Sequence, residues 1–203
     1  LRSKEWYVNN KINLKLNTNI KFINHKNKSL SDEKDNLYYY DKLVIASGSK
    51  NNLLGIDTKE YQKGNFFSLR NLEDSKRIRK KISEVQTITI IGAGFIGLEI
   101  ATTALQLNKD VTIIENSENV MGRSISKDLS KWLINYYTKS GIKFIFNKSF
   151  KSFKSNENSI MNVVLSDDTK INSEMVLISA GSQPNDLLFK SIKVNEFNKI
   201  KVN

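Results

Sequence analysis

The chain of 203 residues has no cysteine, one histidine, one proline and nine glycines. Without cysteine there is no disulfide framework, no thiolate nucleophile and no zinc site of the usual thiolate type. With His25 alone there is no histidine-centred triad and no histidine cluster, which excludes most hydrolases of those kinds. Long apolar runs are also missing. Ile88 to Leu98, among the longest, is broken by Thr and Gly and falls well short of the roughly 20 residues that a membrane span needs. Arginine occurs only at Arg2, Arg70, Arg77, Arg79 and Arg123, whereas sequence-reading DNA binders lean on bidentate Arg. Neither a nucleic-acid partner nor a membrane is expected.

The composition that remains, 39% hydrophobic and 26% charged, is that of an ordinary globular domain or two small ones. The formal net charge of +11 is carried almost wholly by Lys. Lys, Asn and Ile are all heavily used and all have A/T-rich codons, so genomic composition is the preferred source of the basicity. One cluster stands out locally, Lys76, Arg77, Arg79, Lys80 and Lys81, near the end of a predicted helix. It reads either as solvated cations suited to a helix C-terminus or as a docking surface for an acidic partner. The first ten residues are polar and mixed, carry no signal peptide and do not begin with Met, which predicts a cytoplasmic protein whose start has been cut away or processed.

Alternation predicts strands over Ile12–Leu16 and Ile20–Ile23, then a strand ending Leu43-Val44-Ile45-Ala46-Ser47-Gly48, with residues 49 to 70 irregular. A helix is predicted from Leu72 to about Ser83, a buried strand over Ile88–Ile91, a helix over Phe95–Leu107 and a strand over Val111–Ile114. A further helix, Lys127–Lys139, is stopped by Gly141. Strands follow near Lys143–Phe146, Met161–Leu165 and Met175–Ser179. The turn Ser166-Asp167-Asp168-Thr169 carries an Asp pair that a hairpin explains better than catalysis does. His25 reads as an exposed turn residue, and Trp6 and Trp132 as packing residues.

An internal repeat organises the chain. Leu14 through Ile23 parallels Phe144 through Phe153 at an offset of 130. Leu43-Val44-Ile45-Ala46-Ser47-Gly48-Ser49 parallels Val176-Leu177-Ile178-Ser179-Ala180-Gly181-Ser182 at an offset of 133, and Asn52 faces Asn185. In the second copy these segments follow a strand, a glycine-rich turn, a helix and another strand; in the first, about a dozen residues precede them. The expected fold is therefore α/β with two Rossmann-like units, the first truncated at its N-terminus. The expected domains are 1–83, 84–187, and 188–203 as the start of a return segment.

Gly92-Ala93-Gly94-Phe95-Ile96-Gly97 fits G-x-G-x-x-G in the context that gives the pattern meaning: it follows a buried strand, opens a helix, and is trailed 23 residues after Gly92 by Glu115 at the end of the next strand. Gly92 allows the tight turn, Gly94 the approach of a pyrophosphate, and Gly97 close packing of helix on strand. The helix N-terminus offers N–H groups and positive dipole to phosphates. Glu115 suits ribose hydroxyls and would repel a 2′-phosphate, and Asn116-Ser117-Glu118 add no cation to accept one, with Arg123 in a separate motif. NADH rather than NADPH is expected. The alternative is a glycine-rich packing turn that binds nothing.

Thr87 to Glu115, with Gly-Ala-Gly-Phe-Ile-Gly-Leu-Glu, resembles the NAD-binding domain of two-dinucleotide flavoprotein reductases. Tyr40-Asp41-Lys42-Leu43-Val44-Ile45-Ala46-Ser47-Gly48 resembles their second flavin-domain motif, with Ser47 where Thr is usual. Phe67 to Asp74, Met121-Gly122-Arg123 and Ala180 to Asn185 are most similar to the ferredoxin and rubredoxin reductase branch. The resemblance implies FAD as prosthetic group, NADH as hydride donor, and a small acidic iron–sulfur protein, ferredoxin or rubredoxin, as electron acceptor. It also implies that Ile20 holds the FAD adenine through its backbone and that Ala46, Ser47 and Gly48 belong to the flavin motif. Arg70 would lie near the flavin, Arg123 would be a cofactor-binding residue, and Glu99 and Gly181 would lie beside the nicotinamide as the catalytic pair. The upstream FAD glycine motif and the downstream Gly-Asp strand of the family fall outside these residues, so the fragment alone is expected not to retain FAD and to be inactive. Disulfide or CoA-disulfide reductases, NADH oxidases and the large subunit of nitrite reductase remain open as relatives, and a nonenzymatic NADH-binding module as a reading of another class.

Overall fold

A computed structural model describes residues 2–57, 65–155 and 161–185. The chain divides into two compact units, Leu1–Ser49 with Pro184–Asn203, and Lys50–Gln183. The predicted return segment 188–203 lies outside the described residues.

The second unit is built on a five-stranded parallel sheet. Strands β5 (Phe66–Phe67), β6 (Thr87–Ile91), β7 (Asp110–Ile114), β8 (Lys143–Ile145) and β12 (Met175–Ile178) lie in the order β5-β12-β6-β7-β8. Their apolar residues are nearly continuous because both faces are covered. Ile88, Ile90, Val111, Ile113, Met175 and Leu177 point to one face, where they pack with Ile78 and Ile82 of helix α2 (Leu72–Glu84) and Leu98, Ala101 and Ala104 of helix α3 (Phe95–Gln106). Leu133 and Ile134 of helix α4 (Lys127–Lys139) pack against the same cluster. Ile91, Ile114, Val176 and Ile178 point to the other face, against Val163 and Leu165. Those two residues belong to an antiparallel sheet ordered β11-β10-β9, formed by β9 (Phe150–Ser155), β10 (Met161–Leu165) and β11 (Lys170–Ser173). The result is the expected α/β class.

Helix ends follow their sequence signals. Asn71 and Asp74 form a capping box on α2, with Asp74 N–H donating to Asn71 at 2.9 Å, and Ser126 caps α4. Glu174 accepts from the N–H groups of Gln86 and Thr87 at 2.9 and 2.8 Å, and these bonds hold its carboxyl below the usual range. The connection before β12 is thereby tied to the start of β6.

The first unit has helix α1 (Lys4–Asn9), unforeseen in the sequence pattern and started by Ser3, and an antiparallel meander of β1 (Ile20–Asn24), β2 (Ser29–Asp32) and β3 (Leu37–Tyr39). This meander is the repeat counterpart of β9-β10-β11. Two predicted strands do not form: Ile12–Leu16 and Leu43–Gly48 are irregular. Their repeat counterparts, β8 and the β12 segment, pair with β7 and β6 of the parallel sheet. Among the described residues the first unit has no strand to take those places, so the segments lack ladder partners, and Leu14, Leu16 and Val44 are exposed. Strands β4 (Ser49–Asn51) and β13 (Ser182–Pro184) pair as a short ribbon.

The compact division at Ser49 also differs from the expected boundary near residue 84. Phe66 and Phe67 pair with β12, and α2 packs its buried Ile78 and Ile82 into the core beneath the parallel sheet, so tertiary pairing draws the described residues of 50–57 and 65–83 into the second unit. The basic cluster is solvated except where it packs: Lys76 pairs with Glu73 at 2.7 Å, Arg77 lies 5.5 Å from the Phe67 ring centroid, and only Lys81 occupies the last turn. Trp132 is 59% exposed and stacks on Tyr136 rather than entering the core. No helix of the described residues is long and apolar enough to cross a membrane.

Asp32, buried at the end of β2, accepts from Asn36 Nδ2 and the Tyr38 hydroxyl at 2.9 and 2.8 Å and from the N–H groups of Lys34 and Asn36. The Asn36 side chain, with Tyr38 and the two backbone groups, lowers its carboxyl to about 2 against the opposing effect of burial. An unfolded Asp titrates near 4. The carboxylate therefore favours the folded meander above pH ~4, and that contribution is lost as pH falls through about 2. Amide protection factors of β1–β3 are expected to drop between pH 5 and pH 2, and Asp32→Asn should remove that drop. Equal protection at both pH values in the unmodified chain would refute the assignment.

Candidate functional site

The carboxyl ends of the parallel strands are where open sheets of this kind bind ligands, and the loops there enclose a cavity of about 680 Å³ in the second unit. Its floor is the turn between β6 and α3. Gly92 has φ +105°, and a Cβ on it would stand 2.5 Å from the Ser179 carbonyl oxygen. A Cβ on Gly97 would collide with the Gly92 carbonyl oxygen and stand 2.8 Å from Ser179 Oγ. Ser179 Oγ donates to the Gly92 carbonyl at 3.2 Å, and Gly92 N–H donates to Ile114 at 2.8 Å. The end of β12, the turn and the end of β7 are thus locked together at backbone distance.

Gly94 differs from both. It has φ −82°, and nothing lies within 4 Å of the place where its Cβ would be. As the N-cap of α3 it provides no side-chain acceptor, and the first turn of α3 has no acidic residue. Among the described residues the other three helices each supply both: Ser3 with Glu5, Asn71 with Glu73 and Asp74, and Ser126 with Asp128. The N-terminus of α3 therefore presents its positive end to open space at the cavity floor.

Glu115 stands at the end of β7 with its carboxylate over the turn. Its Oε2 accepts from Ala93 N–H at 2.8 Å and its Oε1 from Ser117 N–H and Oγ at 3.0 and 3.1 Å. Oε2 keeps a lone pair for a hydroxyl donor. This donor and acceptor set, with an open glycine cradle, suits the pyrophosphate and ribose of a dinucleotide.

Of the residues singled out by the sequence, the structure brings Gly92, Ala93, Gly94, Phe95, Glu115, Arg123 and Gly181 to the walls of this one cavity. Gly97 supports it from below, and Ile96 is exposed on α3. Glu99 is exposed on α3, outside the cavity lining, and Arg70 is exposed, its N–H donating to Asp74 at 2.9 Å. Arg123, set apart from Glu115 in sequence, shares the cavity with it, and Lys148 joins them. The absence of a cation near Glu115 in the linear sequence does not hold in space, because the loop after β8 runs beside the loop after β7. Asn147 N–H donates to Ser117 at 3.3 Å and Lys148 N–H to Glu115 at 3.2 Å, backbone to backbone.

In the first unit a separate cavity of about 600 Å³ is lined by Ile20, Ala46 and Ser47 together with Asn185. Asn185 donates from Nδ2 to the Ser47 carbonyl at 2.8 Å and from N–H to Gly48 at 3.1 Å. In the second unit Asn52 does the same to the repeat counterparts, Ala180 at 3.4 Å and Gly181 at 3.1 Å. The facing of Asn52 and Asn185 in the repeat was the signal for these contacts; Ser179 and Lys148 carried none.

The sequence pattern described as pyridine nucleotide-disulphide oxidoreductase matches residues 4–203. The chain is 29% identical over 184 residues to a rubredoxin-NAD(+) reductase of Pseudomonas putida, covering 91% of the chain and 47% of the relative. It is 26% identical over 188 residues to the ferredoxin–NAD(+) reductase component of a 3-phenylpropionate/cinnamic acid dioxygenase of Photorhabdus laumondii, covering 93% and 47%. The reductase of a covalent putidaredoxin reductase–putidaredoxin complex superposes with a TM-score of 0.86 at 26% identity, covering 96% of the chain and 48% of that structure. The chain spans about half the length of the curated relatives it matches.

The two glycines separate folding from binding. Gly92→Ala is expected to destabilise the second unit by at least about 2 kcal/mol, from left-handed strain and overpacking. Gly94→Ala should leave the melting temperature within about 2 °C and weaken dinucleotide binding about tenfold or more in a fluorescence titration. Unchanged binding by Gly94→Ala would remove the turn from the site.

Proposed function

The chain belongs to the pyridine nucleotide-disulphide oxidoreductase family, and on that premise we propose that the whole protein is a flavoprotein NADH:acceptor reductase. The family consists of oxidoreductases that use FAD and a pyridine nucleotide. In our reading, electrons pass from NADH through FAD to a small acidic iron–sulfur protein such as a ferredoxin or rubredoxin. The observation that carries the nucleotide half is the uncapped α3 N-terminus opening beneath Glu115 into a cavity of about 680 Å³. The acceptor half rests on likeness to relatives named as rubredoxin and ferredoxin reductases.

When bound, the cofactors would supply the redox chemistry, the nicotinamide giving one hydride, two electrons, to the flavin, which would pass them on singly; the chain's residues bind and orient. The turn Gly92–Gly97 holds the pyrophosphate through backbone N–H groups, and Glu115 accepts hydrogen bonds from the adenine ribose. Arg123 offers charge to the adenosine end, and Gly181 with Glu99 flanks the nicotinamide, Gly181 supported by its place in the cavity wall. The first compact unit is read as part of the FAD domain, with Ile20, Ala46, Ser47 and Gly48 toward the FAD adenosine, supported by the cavity that the first three line. Arg70 is assigned to the flavin side on resemblance.

Titration of the chain should show NADH binding about 10- to 100-fold tighter than NADPH, with the preference reduced in Glu115→Ala. Equal or tighter NADPH binding would overturn the coenzyme assignment. For the acceptor, the exposed Arg79 and Lys80 of α2 are the test positions, since Arg77 already packs on Phe67. Charge reversal of both in the whole protein should raise acceptor KM several-fold with a steep salt dependence, leaving NADH-driven flavin reduction unchanged. Acceptor kinetics indifferent to reversal and to salt would leave the cluster as solvated surface.

A further inference from the structure

We propose that Lys148 is a coenzyme-specificity residue held out of play by Asp167, so that the Lys148–Asp167 pair keeps the cavity selective against a 2′-phosphate. The proposal rests on the pyridine-nucleotide reading of the cavity and concerns a residue to which that reading gave no role.

Three observations meet at Lys148. It lines the same cavity as the glycine turn and Glu115, and its own N–H is bonded to the Glu115 carbonyl at 3.2 Å, which fixes its Cα beside the residue assigned to the adenine ribose. Its ammonium is paired, with Nζ 2.8 Å from Asp167 Oδ2. Asp167 sits in the β10–β11 turn and uses its other oxygen, Oδ1, to accept from Thr169 N–H at 3.2 Å. One carboxylate oxygen thus holds the turn and the other holds the lysine. Lys148, with Thr169, lowers the Asp167 carboxyl to about 2, so Asp167 stays ionised throughout the neutral range.

The charges that a 2′-phosphate would meet follow from this arrangement. Glu115 repels it, Arg123 attracts it, and Lys148 is cancelled by Asp167. The lysine's charge is countered by an acidic side chain that a substitution can remove. An ammonium on a flexible four-carbon stem is a strong point-charge partner for phosphate once its counter-ion is gone. The 2′-hydroxyl of NADH carries no charge and gains little from the same release. Both side chains are about one-third exposed, so loss of the bridge alone costs the fold little.

Asp167→Asn keeps the Oδ1 acceptor for Thr169 and replaces only the oxygen that binds Lys148. In the 203-residue chain it should tighten NADPH binding about 5- to 10-fold and leave NADH within about twofold. Lys148→Ala alone should leave both coenzymes near their original affinities, and the double variant Lys148→Ala/Asp167→Asn should lose the NADPH gain. Titrations at two ionic strengths, with melting temperatures as the folding control, read the effect. An unchanged NADPH-to-NADH ratio in Asp167→Asn, or a gain that survives removal of Lys148, overturns the proposal. Binding of neither coenzyme by the unmodified chain removes the nucleotide reading itself, and the proposal with it. NADH binding without a shift in Asp167→Asn removes the proposal alone.

Discussion

The approach of the Ser179 backbone to the turn between β6 and α3 is the contact on which the rest of the second unit depends. There is no room for a Cβ at Gly92 or Gly97, so the strand end, the turn and the first turn of the helix lie at backbone contact. Ser179 N–H to Ile91 and Gly92 N–H to Ile114, both 2.8 Å, extend the parallel ladders of β12, β6 and β7 to their last residues. Because the ladders run to the edge, the loops that follow leave the sheet at one level and enclose a single cavity. Close packing that excludes side chains below the turn is what leaves open space above it at Gly94.

Charge placement follows the same division between satisfied and open positions. Among the described residues, α1, α2 and α4 close their own N-termini with a side-chain acceptor and an acidic residue, and α3 does neither. A helix end without such groups has unpaired donors, which is costly when buried and useful when a ligand supplies the acceptors. Around that opening the ionised side chains come from loops distant in sequence. Their fields are set by neighbours: Glu115 by the Ala93 and Ser117 donors, Lys148 by Asp167.

The repeat shows how the same sequence pattern gives different structure in different surroundings. Both copies form a three-stranded antiparallel meander, since a meander satisfies its ladders locally. The segments of the second copy that join the parallel sheet are strands; their counterparts over 12–16 and 43–48 are irregular, because parallel pairing needs neighbours brought from far along the chain. The paired asparagines survive in both copies: Asn185 holds Ser47 and Gly48, and Asn52 holds Ala180 and Gly181.

What the sequence determined by itself is what depends on neighbours along the chain. Helix α4 has the predicted bounds and α2 and α3 come within one residue of theirs, because caps, turn glycines and the 3.6-residue period are local signals. The strand–glycine turn–helix unit and Glu115 were legible for the same reason, as was the Asp167-Asp168 hairpin turn. The tertiary structure decided the rest. It drew residues 50–57 and 65–83 into the second unit through the pairing of Phe66 and Phe67 with β12, withheld the strand at 43–48, and left Glu99 outside the cavity lining. It also brought Arg123 and Lys148 into the cavity of Glu115 and set Asp167 on the lysine. The physical reason is that ladder partners and opposing charges are chosen by distance in space, and a parallel sheet joins segments whose separation along the chain carries no local mark.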